Sequence, residues 1–129
     1  MAVSTGDFIT ATMWNSLLTL QAWVLATPLL NSWVTPGALG ATYQVAGFTK
    51  TPDGEVLARG VIGAGVVNTT IFTFPTGYRP LLTEVFSCAA NGGSATVSVD
   101  SAGVVKVLAY TGGGTNVFVS LAGIRFSTI

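Results

Sequence analysis

The residues able to do chemistry are few and widely spaced. Histidine is absent, so the commonest general base and the commonest metal ligand are both missing. The acids are Asp7, Asp53, Glu55, Glu84 and Asp100. Two carboxylates held about 5–9 Å apart would suit glycoside hydrolysis. Asp53 and Asp100, however, sit where turns want a short polar side chain, in Thr51-Pro52-Asp53-Gly54 and just before Gly103. Glu55 and Glu84 read as ion-pair partners for Arg59 and Arg79. The serines lack an imidazole base and a Gly-x-Ser-x-Gly elbow. Gly60-Val-Ile-Gly-Ala-Gly65 imitates a phosphate loop but lacks the Lys-Ser/Thr ending. One thiol, Cys88, cannot make a zinc site, and no Asp-x-Asp-x-Asp run offers one for calcium. Cys88 lies in an apolar run and reads as a buried, inert thiol. The expectation is a chain that is not an enzyme, with no catalytic residue, metal or cofactor.

Two aromatic residues, Trp33 and Tyr110, are candidates for contact with a ligand or a partner. For Trp33 the first reading is a packed anchor. A further cluster is rigid: Pro75, Gly77, Tyr78, Arg79 and Pro80. Pro75 cannot donate to a sheet ladder, Gly77 admits a turn that other residues resist, and Pro80 closes it. Tyr78 is expected to pack its ring at this corner. Arg79 is expected to stiffen the corner by bonding carbonyls and Glu84.

These residues need elements to hold them. From Ala41 onward the sequence alternates and turns. Before the corner, Ile71 and Thr73 should face one way and Phe72 and Phe74 the other. Strands are expected over 56–62, 69–74, 81–89, 95–99, 104–110, 116–121 and 123–126. Turns are expected at Thr51–Gly54, Asn91–Ser94, Asp100–Gly103 and Gly112–Gly114. About eight short strands with such spacing predict a mainly β fold: an antiparallel, jelly-roll-like β-sandwich over 43–129.

The first third differs. Thr12 to Ala26 holds no Gly or Pro, and Met13, Leu17, Leu20 and Val24 have coiled-coil spacing. Trp14, Leu18, Ala22 and Leu25 form a second apolar face. The spacing predicts an apolar helix within an anchoring and oligomerisation segment, 1–26. An uncharged helix needs cover from copies of itself or from a partner. Residues 27–42, with Pro28, Pro36, Gly37 and Gly40, read as an irregular linker. Its apolar Leu29, Leu30 and Trp33 suggest a linker packed against something.

Composition points the same way. Half of the 129 residues are hydrophobic, only 8% are charged, and the net charge is zero. So little charge leaves a lone monomer poorly protected from its neighbours, which implies a surface covered by other chains. There is no basic excess for nucleic acid. Asn15, Ser16 and Gln21 interrupt the apolar stretch, and Pro28 ends it without a basic flank, which argues against a membrane span. No Lys or Arg precedes the first apolar run, so the expectation is a cytoplasmic product that assembles.

Several stretches resemble bacteriophage tail-fibre and minor structural proteins, above all their C-terminal β domain in phages of Gram-positive hosts. They are Glu55-Val-Leu-Ala-Arg-Gly60, Ile71-Phe-Thr-Phe-Pro-Thr-Gly-Tyr-Arg-Pro80, the Val97-Ser-Val99 and Gly103-Val-Val105 pair, and Val119-Ser-Leu-Ala-Gly-Ile-Arg-Phe126. The head, Gly6-Asp-Phe-Ile-Thr-Ala-Thr-Met-Trp-Asn15, is similar to the start of short phage fibres. The resemblance implies a structural protein of the virion, assembled in the host cytoplasm: a homotrimeric short fibre or a tail or head appendage. Its partners would be itself and capsid, portal or tail proteins. An alternative is a receptor- or cell-wall-carbohydrate-binding module at the tail tip. The short chain has no shaft between helix and β domain, which leaves room for capsid decoration.

Overall fold

Alternating sequence makes strands here, and a few glycines decide where they change partners. The computed structural model describes residues 22–36, 43–111 and 118–129. Among the described residues are ten strands and no helix. They are β1 (Val24–Leu25), β2 (Gly47–Lys50), β3 (Glu55–Arg59), β4 (Val61–Ile62), β5 (Thr70–Thr73), β6 (Glu84–Ala90), β7 (Gly93–Val99), β8 (Val104–Tyr110), β9 (Val119–Ser120) and β10 (Arg125–Ser127). A four-stranded sheet has the order β1-β2-β3-β10, and a six-stranded sheet the order β4-β9-β6-β7-β8-β5. Every pair is antiparallel.

Side chains of both sheets meet in one core. Phe48, Val56 and Phe126 come from the smaller sheet, and Phe72, Val97, Val99, Val105 and Val107 from the larger. Phe74, just past β5, makes edge contacts with Phe48 at 4.9 Å, with Phe72 at 5.0 Å and with Phe126 at 5.4 Å between ring centres. Such edge contacts suit the ring quadrupoles and add to the burial. Aromatic rings thus join the two sheets beside the Pro75 corner.

The expected strand over 56–62 is two strands. β3 belongs to the smaller sheet and β4 to the larger, and the chain changes sheet at Gly60. Gly60 has φ +107, and a Cβ there would stand 2.6 Å from Val45 O and from Ala46 N. Only glycine meets both demands.

The expected alternation across β5 also fails. A bulge between Thr70 and Phe72 shifts the register against β8. Ile71 and Phe72 are consequently both buried, while Thr73 is exposed. An extra residue in one strand turns two successive side chains toward the core. Asn91 and Gly92 alone make the β6–β7 turn, since Gly93 already pairs with Ala90. Strand β6 begins at Glu84, and Leu81 and Leu82 before it are exposed.

The helical reading fails wherever it is described. Val24 and Leu25 form an edge strand on Phe48 and Gly47. Val24 is therefore not a helical anchor residue. A β-branched residue beside Trp23 suits a strand, and the open edge of β2 supplies hydrogen bonds that override local helix preference. Thr49 donates from Oγ1 to Ala22 O at 3.3 Å, and the Arg59 guanidinium stacks on the Trp23 ring at 4.1 Å. Met13, Trp14, Leu17, Leu18 and Leu20 lie outside the described residues.

Residues 26–34 then tie the sheets together. Ala26 N–H donates to Ala46 O, Leu30 N–H donates to Ile71 O on β5, and Val34 pairs with Gly63 just after β4. Strands β4 and β5 are the two edges of the larger sheet, so one short segment fastens both.

Candidate functional site

The Pro75 corner is held from three directions. Tyr78 N–H donates to Pro75 O, closing the turn, and Gly77 within it has φ +93. Arg79 donates from Nε to Phe74 O at 2.8 Å. Lys50 reaches over from β2, donating from Nζ to Gly77 O at 2.8 Å while lying 5.7 Å from the centre of the Tyr78 ring. Tyr78 packs edge-on against Phe48 at 5.3 Å. Pro80 is buried. These contacts fix a backbone corner.

Asp53, Glu55 and Asp100 are used structurally. The Asp100 carboxylate accepts from Ala102 N–H and Val104 N–H, and the Asp53 carboxylate accepts from Thr51 Oγ1. Glu55 pairs with Arg125, not with Arg59, because Arg125 on β10 stands beside Leu57 and Glu55 on the neighbouring strand. Arg59 is turned instead to Trp23. Glu84 is exposed, and Arg79 spends its Nε on the Phe74 carbonyl. The pairings expected for Arg59 and Arg79 with these acids do not form.

Cys88 is buried, and desolvation pushes its thiol up to about 11 from 9.0, against a lowering hydrogen bond with the Gly123 backbone. A thiol held neutral is a poor nucleophile. Among the described residues no group of His, Cys, Asp or Glu could hold a metal ion. Among them, too, no helix is long and apolar enough to cross a membrane.

Trp33 does not reach a ligand. It is 1% exposed, and a Cβ on Gly65 would lie within its indole. Gly65 is thus a seat for this ring. The signal in the sequence was a bulky aromatic residue in one segment and closely spaced small residues in another, with nothing to pair them. The indole Nε1 is buried without a hydrogen-bond partner. Tyr110 ends β8, and its side chain lies outside what is described.

Two grooves flank the turn at Pro28. One, of about 340 Å³, lies between Val24, Leu30, Phe48, Phe72 and Pro75. The other, of about 440 Å³, lies between Leu25, Leu29, Trp33, Val34 and Val45. No charged side chain lines either groove. Sequence reasoning missed them because they arise where β1 adds to β2.

No known protein family matches the sequence, and no curated protein does. In three dimensions the chain is similar to the crystal structure of the receptor binding protein (gp15) of Listeria phage PSA. The TM-score is 0.69 at 20% identity, over 92% of this chain and 70% of that one. At that identity the likeness is one of fold.

Proposed function

We propose that the chain is a bacteriophage virion protein whose β domain, a jelly-roll-like sandwich, is a receptor-binding module of the tail. The observation that carries this reading is the likeness in fold, over 92% of the chain, to a phage receptor binding protein. The resemblance of the strand and corner sequences to phage tail-fibre proteins supports it from an independent direction. The ligand class proposed is host cell-wall carbohydrate. The role is binding without hydrolysis, because Asp53, Asp100 and Glu55 are engaged in turns and an ion pair. The module works as a homotrimer, with the apolar stripe Met13, Leu17 and Leu20, and Trp14 and Leu18 beside it, serving assembly and docking on other virion proteins.

The test of the binding role is sedimentation of the full-length chain with purified cell walls of Gram-positive bacteria, Listeria among them. Walls stripped of their carbohydrate serve as the control. Retention that disappears on stripping is expected. No retention on any wall would refute the binding role. The double substitution Leu17→Asp with Leu20→Asp is expected to lower the mass seen by light scattering, and an unchanged oligomer would remove the stripe from the account.

A further inference from the structure

Register decides which side chains share the outer face of the smaller sheet. On β3, Val56 and Ala58 are buried in the core, so Leu57 and Arg59 point outward. Thr49 pairs with Leu57, and Gly47 pairs with both Leu25 and Arg59, so Thr49 and Leu25 belong to the same face. Trp23 joins them by alternation, since Val24 stands opposite the core residue Phe48. The larger sheet packs on the opposite side. Apolar side chains therefore cross this face from β1 to β3: Leu25, which is 58% exposed, Trp23 and the half-buried Leu57.

Two residues there are more enclosed than an outer face would make them. Thr49 is only 8% exposed although it points away from the core. The Arg59 guanidinium is stacked on Trp23, and its Nε is buried with no hydrogen-bond partner among the described residues. Glu55 is the only acid in the four strands of this sheet, and Arg125 takes it. A buried donor on a cation is costly when left unpaired, so this face calls for an acceptor from outside the described residues.

We propose that the occupant of this face is the chain's own segment 1–21. The segment joins the sheet here, because Ala22, the next residue, accepts from Thr49 Oγ1 on this face. A tethered segment meets a face beside its anchor at an effective concentration on the order of millimolar, an advantage that a free partner lacks. Its composition fits the face. It carries Phe8, Trp14 and Leu18 among its apolar side chains, and its only charged side chain is Asp7, opposite in sign to Arg59. Its backbone carbonyls, Asn15 and Gln21 add acceptors for a guanidinium. Packing on Trp23, Leu25 and Leu57 gives an almost uncharged segment the cover it needs. The side turned away from the sheet is left for the assembly role above, and the proposal does not depend on wall binding.

The experiment uses the full chain with Cys88→Ala as background, which removes its one native thiol. Leu57→Cys is combined, in separate variants, with one cysteine at each of positions 13–20. Mild oxidation should bridge several of these pairs within one chain, giving a band of monomer mass and altered mobility on a non-reducing gel. Bridges at dimer mass alone would seat a neighbouring copy on the face, and no bridge at any position would place the segment elsewhere. Either result overturns the proposal. Should the cysteine variants fail to fold, amide exchange of the wild-type chain and of Leu25→Asp decides, since Leu25 is exposed and its replacement leaves the core intact. Residues 8–20 should be protected at every concentration in the wild type and should lose at least tenfold of that protection in Leu25→Asp, with β6–β8 unchanged. Equal exchange in the two chains, or protection that vanishes on dilution, would overturn the proposal.

Discussion

Gly60 and Gly77 both have positive φ, at +107 and +93, but their surroundings differ. A Cβ on Gly77 would meet nothing within 4 Å, whereas one on Gly60 would stand 2.6 Å from Val45 O and Ala46 N. Gly77→Ala should therefore cost only the left-handed conformation, about 1–2 kcal/mol. The loss of unfolded-state freedom returns about 0.4–1 kcal/mol of this. Gly60→Ala carries the same two contributions and adds a clash with backbone, which no rotamer change relieves. Overpacking of this kind costs about 1–3 kcal/mol. The shared contributions cancel in the comparison, so Gly60→Ala should be less stable than Gly77→Ala by about 1–3 kcal/mol. At roughly 4 °C per kcal/mol for a domain of this size, it should melt about 4–12 °C lower. Thermal unfolding followed by circular dichroism at one fixed protein concentration measures this, since oligomerisation makes Tm depend on concentration. Equal melting temperatures would refute the claim that the chain crosses between sheets in contact with residues 45 and 46.

Three further outcomes are expected. Trp33→Ala should cost about 3–5 kcal/mol, because the ring is buried against Gly65, and urea unfolding would reveal a surface ring by a cost under about 1 kcal/mol. Arg79→Ala should cost about 1–3 kcal/mol through the unpaired Phe74 carbonyl, while Glu84→Ala should change stability by under about 0.5 kcal/mol; equal effects in denaturant titrations would restore a pairing of the two. Cys88 keeps its proton to about 11 when folded, against 9.0 when unfolded. Between those values the folded state binds more protons, so stability should fall as pH rises through that window, and Cys88→Ala should flatten the fall in pH-dependent melts.

The β character was legible because turn residues and alternation are local signals. Thr51-Pro52-Asp53-Gly54 and Asn91-Gly92 announce their turns without reference to the rest of the chain. The corner was legible for the same reason, since Pro75 and Pro80 restrict their own backbone and Gly77 admits the positive φ that the turn needs. What escaped was settled at long range. Val24 and Leu25 look helical beside Thr12 to Ala22, and only the open edge of β2 makes them a strand. The bulge at Ile71 is set by its register against β8, and Gly60 by the backbone at Ala46. Arg125 displaced Arg59 as the partner of Glu55 because β10 returns to pair with β3, a neighbour that spacing along the chain does not reveal.

The central claim is that this is a receptor-binding component of a phage tail. Gold-labelled antibody against the chain, viewed on intact particles by electron microscopy, tests it most directly. The account predicts label at the tail end farthest from the head, on wild-type particles. Label spread over the capsid would contradict it and favour a decoration role, and particles without label would remove the chain from the virion.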